Sequence, residues 1–168
     1  MRFSLPELSL FALAAVLLVE ALLGRALLGE LPRWSRPGGP SSAILASWTI
    51  TPGVVNPDVT QATIVATICR RGWTRTIRPP VSYTNDLKRK GLRQYGLRGP
   101  PSAFQEDHLI SLELGGDPTD PRNLWPEPYP RAAQVDKLEN ELNAKVCSGE
   151  ISLAEGQRRE AELKWTQG

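Results

Sequence analysis

Glycine and proline interrupt this sequence so often that we expect short elements joined by many loops. The chain has 14 glycines and 15 prolines among 168 residues. Glycine weakens regular structure through its backbone freedom, and proline through its fixed φ and its missing N–H. Hydrophobic residues make up 40% and charged residues 23%, which is the balance of a chain that buries a core. We therefore expect a small, loop-rich fold, and the length suffices for about one domain.

The scarcity of histidine and cysteine excludes several functional classes. One histidine and two cysteines cannot build a zinc finger, a four-cysteine site or a three-histidine site. The sequence also lacks the patterns GxGxxG, GxxxxGK[ST] and GxSxG. Those patterns are typical of dinucleotide-binding proteins, P-loop proteins and α/β-hydrolases, so none of these classes is indicated.

The first 31 residues are typical of a targeting segment rather than of a folded domain. An unbroken apolar run covers residues 8–19. It is shorter than the roughly 20 residues that span a bilayer, but it matches the hydrophobic region of a signal peptide. The alternative is an uncleaved membrane anchor over 8–28, with two charged residues inside it. Both interpretations predict an exported (periplasmic or extracellular) or membrane-anchored protein, with 32–51 as a linker.

Export would determine the oxidation state of the two cysteines. Disulfides persist in oxidising compartments, so Cys69 and Cys147 are predicted to be bridged. The alternative is a pair of buried free thiols. A bridge would stabilise the fold by about 4 kcal/mol on the loop-entropy account, because it closes a long loop of the unfolded chain.

Turn signals divide the remaining chain into seven segments. Asn56, followed by proline and aspartate, favours a helix start, although the β-branched residues beyond it keep a strand as the alternative. Ser152 and Glu155 form a capping box, which predicts the start of a last helix. The predicted elements are a helix over 56–68, an extended segment over 72–80, a helix from 84 or 85 to 95, strands over 105–114 and 123–125, and helices over 131–146 and 152–165.

The single histidine lies in a segment whose order of elements predicts a site. Asp107 and His108 fall on a predicted strand, a Gly-Gly turn follows, and Asn123 opens a second strand before a helix. A neutral imidazole takes a proton from water near physiological pH, and an asparagine can fix its orientation. Because neighbouring strand residues point to opposite faces, Asp107 can hold a divalent ion while His108 addresses the substrate. Such an ion would stabilise the charge that develops in phosphodiester hydrolysis.

The same segment resembles the HNH, or His-Me finger, endonuclease superfamily. The likeness lies in DHLISLELGG over 107–116 and DPRNLWPEP over 120–128, and it extends over about 52–165. It implies an α+β domain over 52–168 that contains a ββα-metal unit. In that unit His108 is the general base, Asp107 is a metal ligand, and Asn123 orients the base.

The resemblance is incomplete because the closing histidine of the superfamily motif is absent. Another residue of the predicted helix over 131–146 would then have to bind the ion. Four polar residues share one face of that helix, and Asp136 and Glu139 are the best candidates by charge, while Asn143 is a weaker one. Oxygen donors of this kind suit Mg²⁺, which is the expected cofactor. The alternative is that this helix face is simply solvated.

A basic stretch precedes the motif and predicts a polyanionic partner. Residues 69–99 contain nine basic residues and one acid, whereas 100–168 contain seven basic and thirteen acidic residues. Basic side chains neutralise phosphates and aromatic rings stack on unpaired bases, so we expect nucleic acid bound with little sequence specificity. An ordinary solvated face is the alternative. The candidate substrate-binding residues are Arg75, Arg78, Tyr83 and Lys88.

Two functions of different classes follow from these patterns. The first is a metal-dependent endonuclease that hydrolyses phosphodiester bonds of DNA or RNA. The second is a non-catalytic module for nucleic acid or the cell envelope, on an HNH-derived scaffold that lost its last metal ligand. A glycosidase is disfavoured, because it needs two carboxylates about 5–10 Å apart across a cleft, and no motif supplies that pair.

Overall fold

The structure is a computed structural model that describes residues 44–167. The predicted targeting segment over 1–31 and most of the linker over 32–51 lie outside these residues. Within 44–167, no helix has both the length and the apolar character needed to cross a membrane. The helices and a two-stranded sheet confirm a small α+β fold. In chain order the elements are α1 (Trp73–Ile77), α2 (Val81–Gln94), β1 (Phe104–His108), β2 (Leu124–Pro128), α3 (Ala132–Cys147) and α4 (Leu153–Thr166), with short 3-10 turns between them.

β1 and β2 form an antiparallel hairpin, and α3 follows it directly. Asp107 pairs with Trp125, and His108 pairs with Leu124, at the end of the hairpin that carries the predicted site. β1 ends at His108, six residues earlier than the predicted strand over 105–114. The chain beyond it turns away and forms a 3-10 turn at Leu112–Leu114. The strand–strand–helix order predicted from the motif is therefore present.

β2 runs through two prolines, although the sequence predicts that it ends before them. The N–H of Tyr129 donates to the carbonyl of Ala103, and the N–H of Leu109 donates to the carbonyl of Asn123. The inter-strand hydrogen bonds therefore involve the odd-numbered residues of β2. Pro126 and Pro128 occupy the alternate positions, where an N–H would point away from β1. Each proline is tolerated because no hydrogen bond to β1 is lost.

Two helix predictions hold closely, and the polar cap of α4 and the apolar face of α3 explain why. α3 and α4 lie within a residue of the predicted bounds. Ser152 Oγ accepts from the N–H of Glu155 at 3.2 Å, which confirms the predicted cap. Val135, Leu142 and Val146 of α3 are buried in the core. An amphipathic helix with a capped start is thus readable from local sequence alone.

The prediction of a helix over 56–68 is wrong. The segment is a series of turns with only a 3-10 turn at Ile64–Ala66. The Thr63 hydroxyl donates to the carbonyls of Asp58 and Thr60, and the Thr67 hydroxyl donates to that of Thr63. Threonine side chains that bond nearby carbonyls compete with helical hydrogen bonding, so the backbone settles into turns.

The prediction of an extended segment over 72–80 is also wrong, because α1 begins at Trp73. Gly72 precedes it with φ of +83°, a left-handed conformation that glycine adopts without strain. α2 begins at Val81 rather than at 84 or 85. The Thr84 hydroxyl donates to the Val81 carbonyl inside the helix, so this threonine is not a cap.

The core has two parts, and a disulfide lies at the edge of the larger one. Cys69 and Cys147 are bridged, with Cα atoms 5.6 Å apart, which confirms the predicted pairing. The bridge joins the end of α3 to the turns that precede α1. The larger cluster contains Val59, Ile64, Ile68, Trp73, Ile110, Leu114, Leu142, Val146 and Leu153, and the smaller one contains Ala46, Leu109, Trp125 and Ala161.

Candidate functional site

A polar cavity of about 300 Å³ lies where β1 ends against α3. Its walls come from the end of β1, the loop after it, the exposed face of α3 and the segment between α1 and α2. Carboxylates dominate the lining, together with the single histidine and one arginine. The charged or titratable lining residues are Arg78, Asp107, His108, Glu113, Asp136 and Glu139.

His108 is held in one orientation by a backbone carbonyl. Its Nε2 lies 3.2 Å from the carbonyl oxygen of Pro118, and its side chain is nearly buried. A carbonyl oxygen only accepts, so Nε2 carries the proton and Nδ1 of the neutral ring is unprotonated. Burial lowers the pKa of His108 below its ordinary value of 6.5, which favours the neutral ring at physiological pH. The imidazole is therefore able to accept a proton at Nδ1.

Asn123 organises the loop between the two strands rather than the imidazole itself. Its Oδ1 accepts from the N–H of Ile110 at 3.0 Å, and its Nδ2 donates to the carbonyls of Ile110 and Asp117 at 3.0 Å. Asp117 immediately precedes Pro118, whose carbonyl holds His108. Asn123 thus acts on the base through the loop and is a positioning residue.

The Gly-Gly turn is required by the close packing of the same loop. A Cβ on Gly116 would lie 1.7 Å from the Ile110 carbonyl oxygen, a distance that no side chain tolerates. Gly115 has φ of +76°, and a Cβ there would lie 2.5 Å from Val59 Cγ1. Asn143, the weaker ligand candidate, donates from Nδ2 to the Glu113 carbonyl at 2.7 Å. It therefore supports this loop.

A buried lysine lies directly beneath the cavity. Lys164 of α4 is fully buried, and its Nζ is surrounded by four oxygen atoms. These are Asp107 Oδ2 at 2.9 Å, Glu139 Oε1 at 2.7 Å, Glu160 Oε1 at 3.2 Å and the His108 carbonyl at 2.5 Å. We call Lys164 and the three carboxylates the Lys164 cluster.

The charges within the Lys164 cluster are strongly linked. Burial alone would lower the pKa of Lys164, but Asp107, Glu139 and Glu160 outweigh it and raise that pKa well above its ordinary value. Burial likewise opposes ionisation of Asp107, yet Lys164 keeps the pKa of this carboxyl below its ordinary value. The ammonium and the Asp107 carboxylate are therefore both charged at neutral pH.

Glu127 adds a further buried carboxyl beside the cluster. It lies on β2, it is fully buried, and its protonated carboxyl group donates a hydrogen bond to the Asp107 carboxylate. Burial and the negative charge of Asp107 raise the pKa of Glu127 to about 8. Glu127 is thus mostly protonated at neutral pH, which avoids placing another negative charge next to Asp107.

The residues present do not fit a divalent ion between Asp107 and Glu139 while Lys164 remains in place. The ammonium is already bonded to one carboxylate oxygen of each. An ion bonded to the same two oxygens would lie beside a like charge in a buried setting, where repulsion is strong. In residues 44–167 no group of three or more histidine, cysteine or acidic side chains could hold a metal ion. The Mg²⁺ site that includes Asp136 stays a prediction.

Only one of the four candidate substrate-binding residues lines the cavity. Arg78 is exposed at its mouth. The Tyr83 hydroxyl donates to the carbonyl of Thr119, the residue after Pro118, and Lys88 donates to the Phe104 carbonyl at 3.0 Å. Arg75 is exposed on α1, away from the cavity lining. The structure therefore places Tyr83 and Lys88 against the hairpin and Arg75 on an outer surface.

The sequence analysis missed Glu127, Glu160 and Lys164. Glu160 and Lys164 are spaced i,i+4 on α4, a pattern that is typical of an exposed ion pair. Nothing in the local sequence distinguishes a buried pair from an exposed one.

No protein-family model, no curated protein and no solved structure matches this chain, so its likeness to the HNH superfamily depends on the motif.

Proposed function

We propose that this domain is an endonuclease that hydrolyses phosphodiester bonds of DNA or RNA, with His108 as the general base. The observation that carries the proposal is the contact between His108 Nε2 and the Pro118 carbonyl. It leaves Nδ1 unprotonated on an imidazole that lines a cavity with an arginine at its mouth. On this proposal the hairpin and α3 are an HNH-type ββα unit.

In this mechanism the protein supplies a base and a positive charge. His108 Nδ1 takes a proton from a water molecule, and the resulting hydroxide adds to the phosphorus. The bond between phosphorus and the oxygen opposite the attacking water breaks, and that oxygen takes a proton from solvent. Arg78 neutralises the phosphate during this step. Asn123 and the Gly-Gly turn keep the Pro118 carbonyl, and with it the imidazole, in place.

The nucleic acid would lie along the basic face of α2. Arg89, Lys90 and Arg93 are exposed on this helix, which packs against the hairpin that carries His108. Gly91 allows the close approach, since a Cβ there would lie 2.9 Å from Pro126 Cδ. Phosphate contacts of this kind bind without reading base sequence, so we expect little sequence specificity.

The disulfide supports an exported location for this activity. A bridge between Cys69 and Cys147 is compatible with an oxidising compartment, where such bonds persist. We infer that the chain acts in the periplasm or outside the cell, either free or held at a membrane by its first residues.

A second candidate is the non-catalytic binding module. The observation that favours it is the ammonium of Lys164 between Asp107 and Glu139, where metal-dependent chemistry would need a divalent ion. On this account the basic face of α2 still binds nucleic acid, but no bond is broken.

Plasmid nicking by the purified chain separates the two candidates. Supercoiled plasmid is incubated with the wild type in Mg²⁺, in Mn²⁺ and in EDTA, and with His108→Ala and Glu141→Gln under each condition. The proposal predicts nicking by the wild type and by Glu141→Gln, an exposed control on α3, and none by His108→Ala. Retarded plasmid without any nicking would establish the binding module instead.

A further inference from the structure

We propose that the Lys164 ammonium is the resident cation of this site, and that it takes the place of a divalent ion between Asp107 and Glu139. The inference deepens the proposed nuclease function. One part of it rests on that function, namely the prediction that cleavage needs no divalent metal. The cation assignment itself concerns what the buried oxygens bind, and binding measurements test it independently of activity.

The first support is the arrangement of oxygen atoms around Nζ. Four of them lie between 2.5 and 3.2 Å from the nitrogen, three from carboxylates and one from the His108 carbonyl. Hard cations are held by this type of donor set, with carboxylates and backbone carbonyls together. An ammonium has three N–H donors, so all three find acceptors among the four oxygens while the group supplies a single positive charge.

The second support is burial, because it keeps the ammonium in place. Lys164 and Glu160 are both fully buried. Both carboxylate oxygens of Glu160 also accept from the N–H of Ser111 at 3.0 Å, which ties α4 to the loop that follows β1. An ion that displaced the ammonium would leave a buried positive charge without its partners, which proteins avoid.

The third support is the charge balance of the cavity. Asp107, Glu113, Asp136 and Glu139 all line it. Lys164 keeps the pKa of Asp107 below its ordinary value, so this carboxylate is charged and would repel a phosphate unless positive charge compensated it. Lys164 bonds to Asp107 and Glu139 from beneath, and Arg78 supplies positive charge at the mouth. Lys164 does not line the cavity, so it acts on a substrate only through Asp107 and Glu139. It is a positioning residue, whereas Arg78 is the group that meets the phosphate.

The decisive measurement uses the wild-type chain. We expect titration with Mn²⁺, followed by electron paramagnetic resonance of the free ion, to reveal no saturable site. We also expect plasmid nicking at an unchanged rate after dialysis against EDTA. Saturable Mn²⁺ binding by the wild type would overturn the inference, and so would nicking that appears only when Mg²⁺ or Mn²⁺ is added.

Removal of the lysine supplies the complementary test. Lys164→Ala frees the carboxylates of Asp107, Glu139 and Glu160, and we expect this variant to gain one saturable Mn²⁺ site and a Tm that rises with Mn²⁺ concentration. Lys137→Ala removes a charge from the exposed face of α3, and we expect it to gain neither. A folded Lys164→Ala chain without Mn²⁺ binding would contradict the inference. If this variant does not fold, the wild-type titration decides.

The failure of this inference differs from the failure of the proposed function. Nicking that requires added metal overturns the resident cation and leaves the nuclease intact. If no condition gives nicking, the nuclease proposal and metal-free cleavage both fail. The Mn²⁺ titration of the wild type then still tests the cation assignment, which saturable binding would refute.

Discussion

A single carbonyl determines which nitrogen of His108 can act as a base. The Pro118 oxygen accepts from Nε2, so on the proposed mechanism proton transfer from water would use Nδ1. The imidazole is closed in by its own loop, and burial disfavours its charged form. Both features make the ring a base that is available at neutral pH.

The acid limb of the pH–rate profile should therefore lie below the ordinary range of histidine. Burial lowers the pKa of His108 from 6.5, and the base works only when it is unprotonated. Cleavage should thus be lost as the pH falls through a midpoint below 6.5, and most of the cleavage activity should be present at pH 7. Nicking rates measured across this range, with circular dichroism as the check on folding, test the point. A midpoint above 6.5 would show that another group controls the rate.

The Gly-Gly turn carries a prediction about stability. Gly116→Ala would place a Cβ 1.7 Å from the Ile110 carbonyl oxygen, so the loop would have to move. We expect the free energy of unfolding to fall by several kcal/mol, on the order of 3–5 kcal/mol, as for other severe steric changes. Urea denaturation measures the loss.

Gly96→Ala is the matched control for this change. Gly96 has φ of +62° but nothing within 4 Å of a Cβ, so only the backbone preference is lost, at about 1–2 kcal/mol. Equal losses at the two positions would contradict the steric account of the Gly-Gly turn.

At the scale of elements, the sequence predicted the helices whose formation depends on interactions between nearby residues. The capping box predicted α4 correctly, and the apolar stripe predicted α3 correctly. Both signals depend on residues that are three or four positions apart in the sequence. The prediction of an extended segment over 72–80 was wrong, because Trp73 is buried in a core that the sequence does not reveal. Asp107 and His108 were found through their motif. Lys164 was not, because Glu139 and Asp107 lie 25 and 57 residues away from it and meet it only when α3, α4 and β1 pack together.

The basic face of α2 should control affinity for nucleic acid but not its sequence preference. Lys90→Ala combined with Arg93→Ala removes two exposed charges. We expect weaker binding to every sequence, and a salt dependence reduced by about one phosphate contact for each charge lost. Fluorescence anisotropy of labelled single- and double-stranded oligonucleotides at several salt concentrations measures both. Glu141→Gln serves as the control, and an unchanged salt slope would remove α2 from the interface.

At the scale of the whole molecule, the disulfide ties distant parts of the chain together. It joins residues 78 positions apart and attaches the end of α3 to the turns before α1. α3 carries Asp136 and Glu139, so the bridge also secures one wall of the cavity. A small, loop-rich domain gains much from such a cross-link because its core is limited.

Replacement of both cysteines should therefore lower stability without changing the fold. For Cys69→Ser combined with Cys147→Ser we expect a loss of about 4 kcal/mol in the free energy of unfolding, from the loop that the bridge closes. Urea denaturation of this variant against the oxidised wild type measures it. The reduced wild type should show a similar loss, and equal stability of all three forms would contradict the expectation.

The proposed site combines an imidazole base with a buried ammonium beneath it. Its most direct test is a side-by-side time course of plasmid nicking by the wild type and by His108→Ala, both dialysed against EDTA. We predict that the wild type converts supercoiled plasmid to the nicked form and that His108→Ala leaves it supercoiled while remaining folded. Equal conversion by the two proteins, or none by the wild type, would contradict the account.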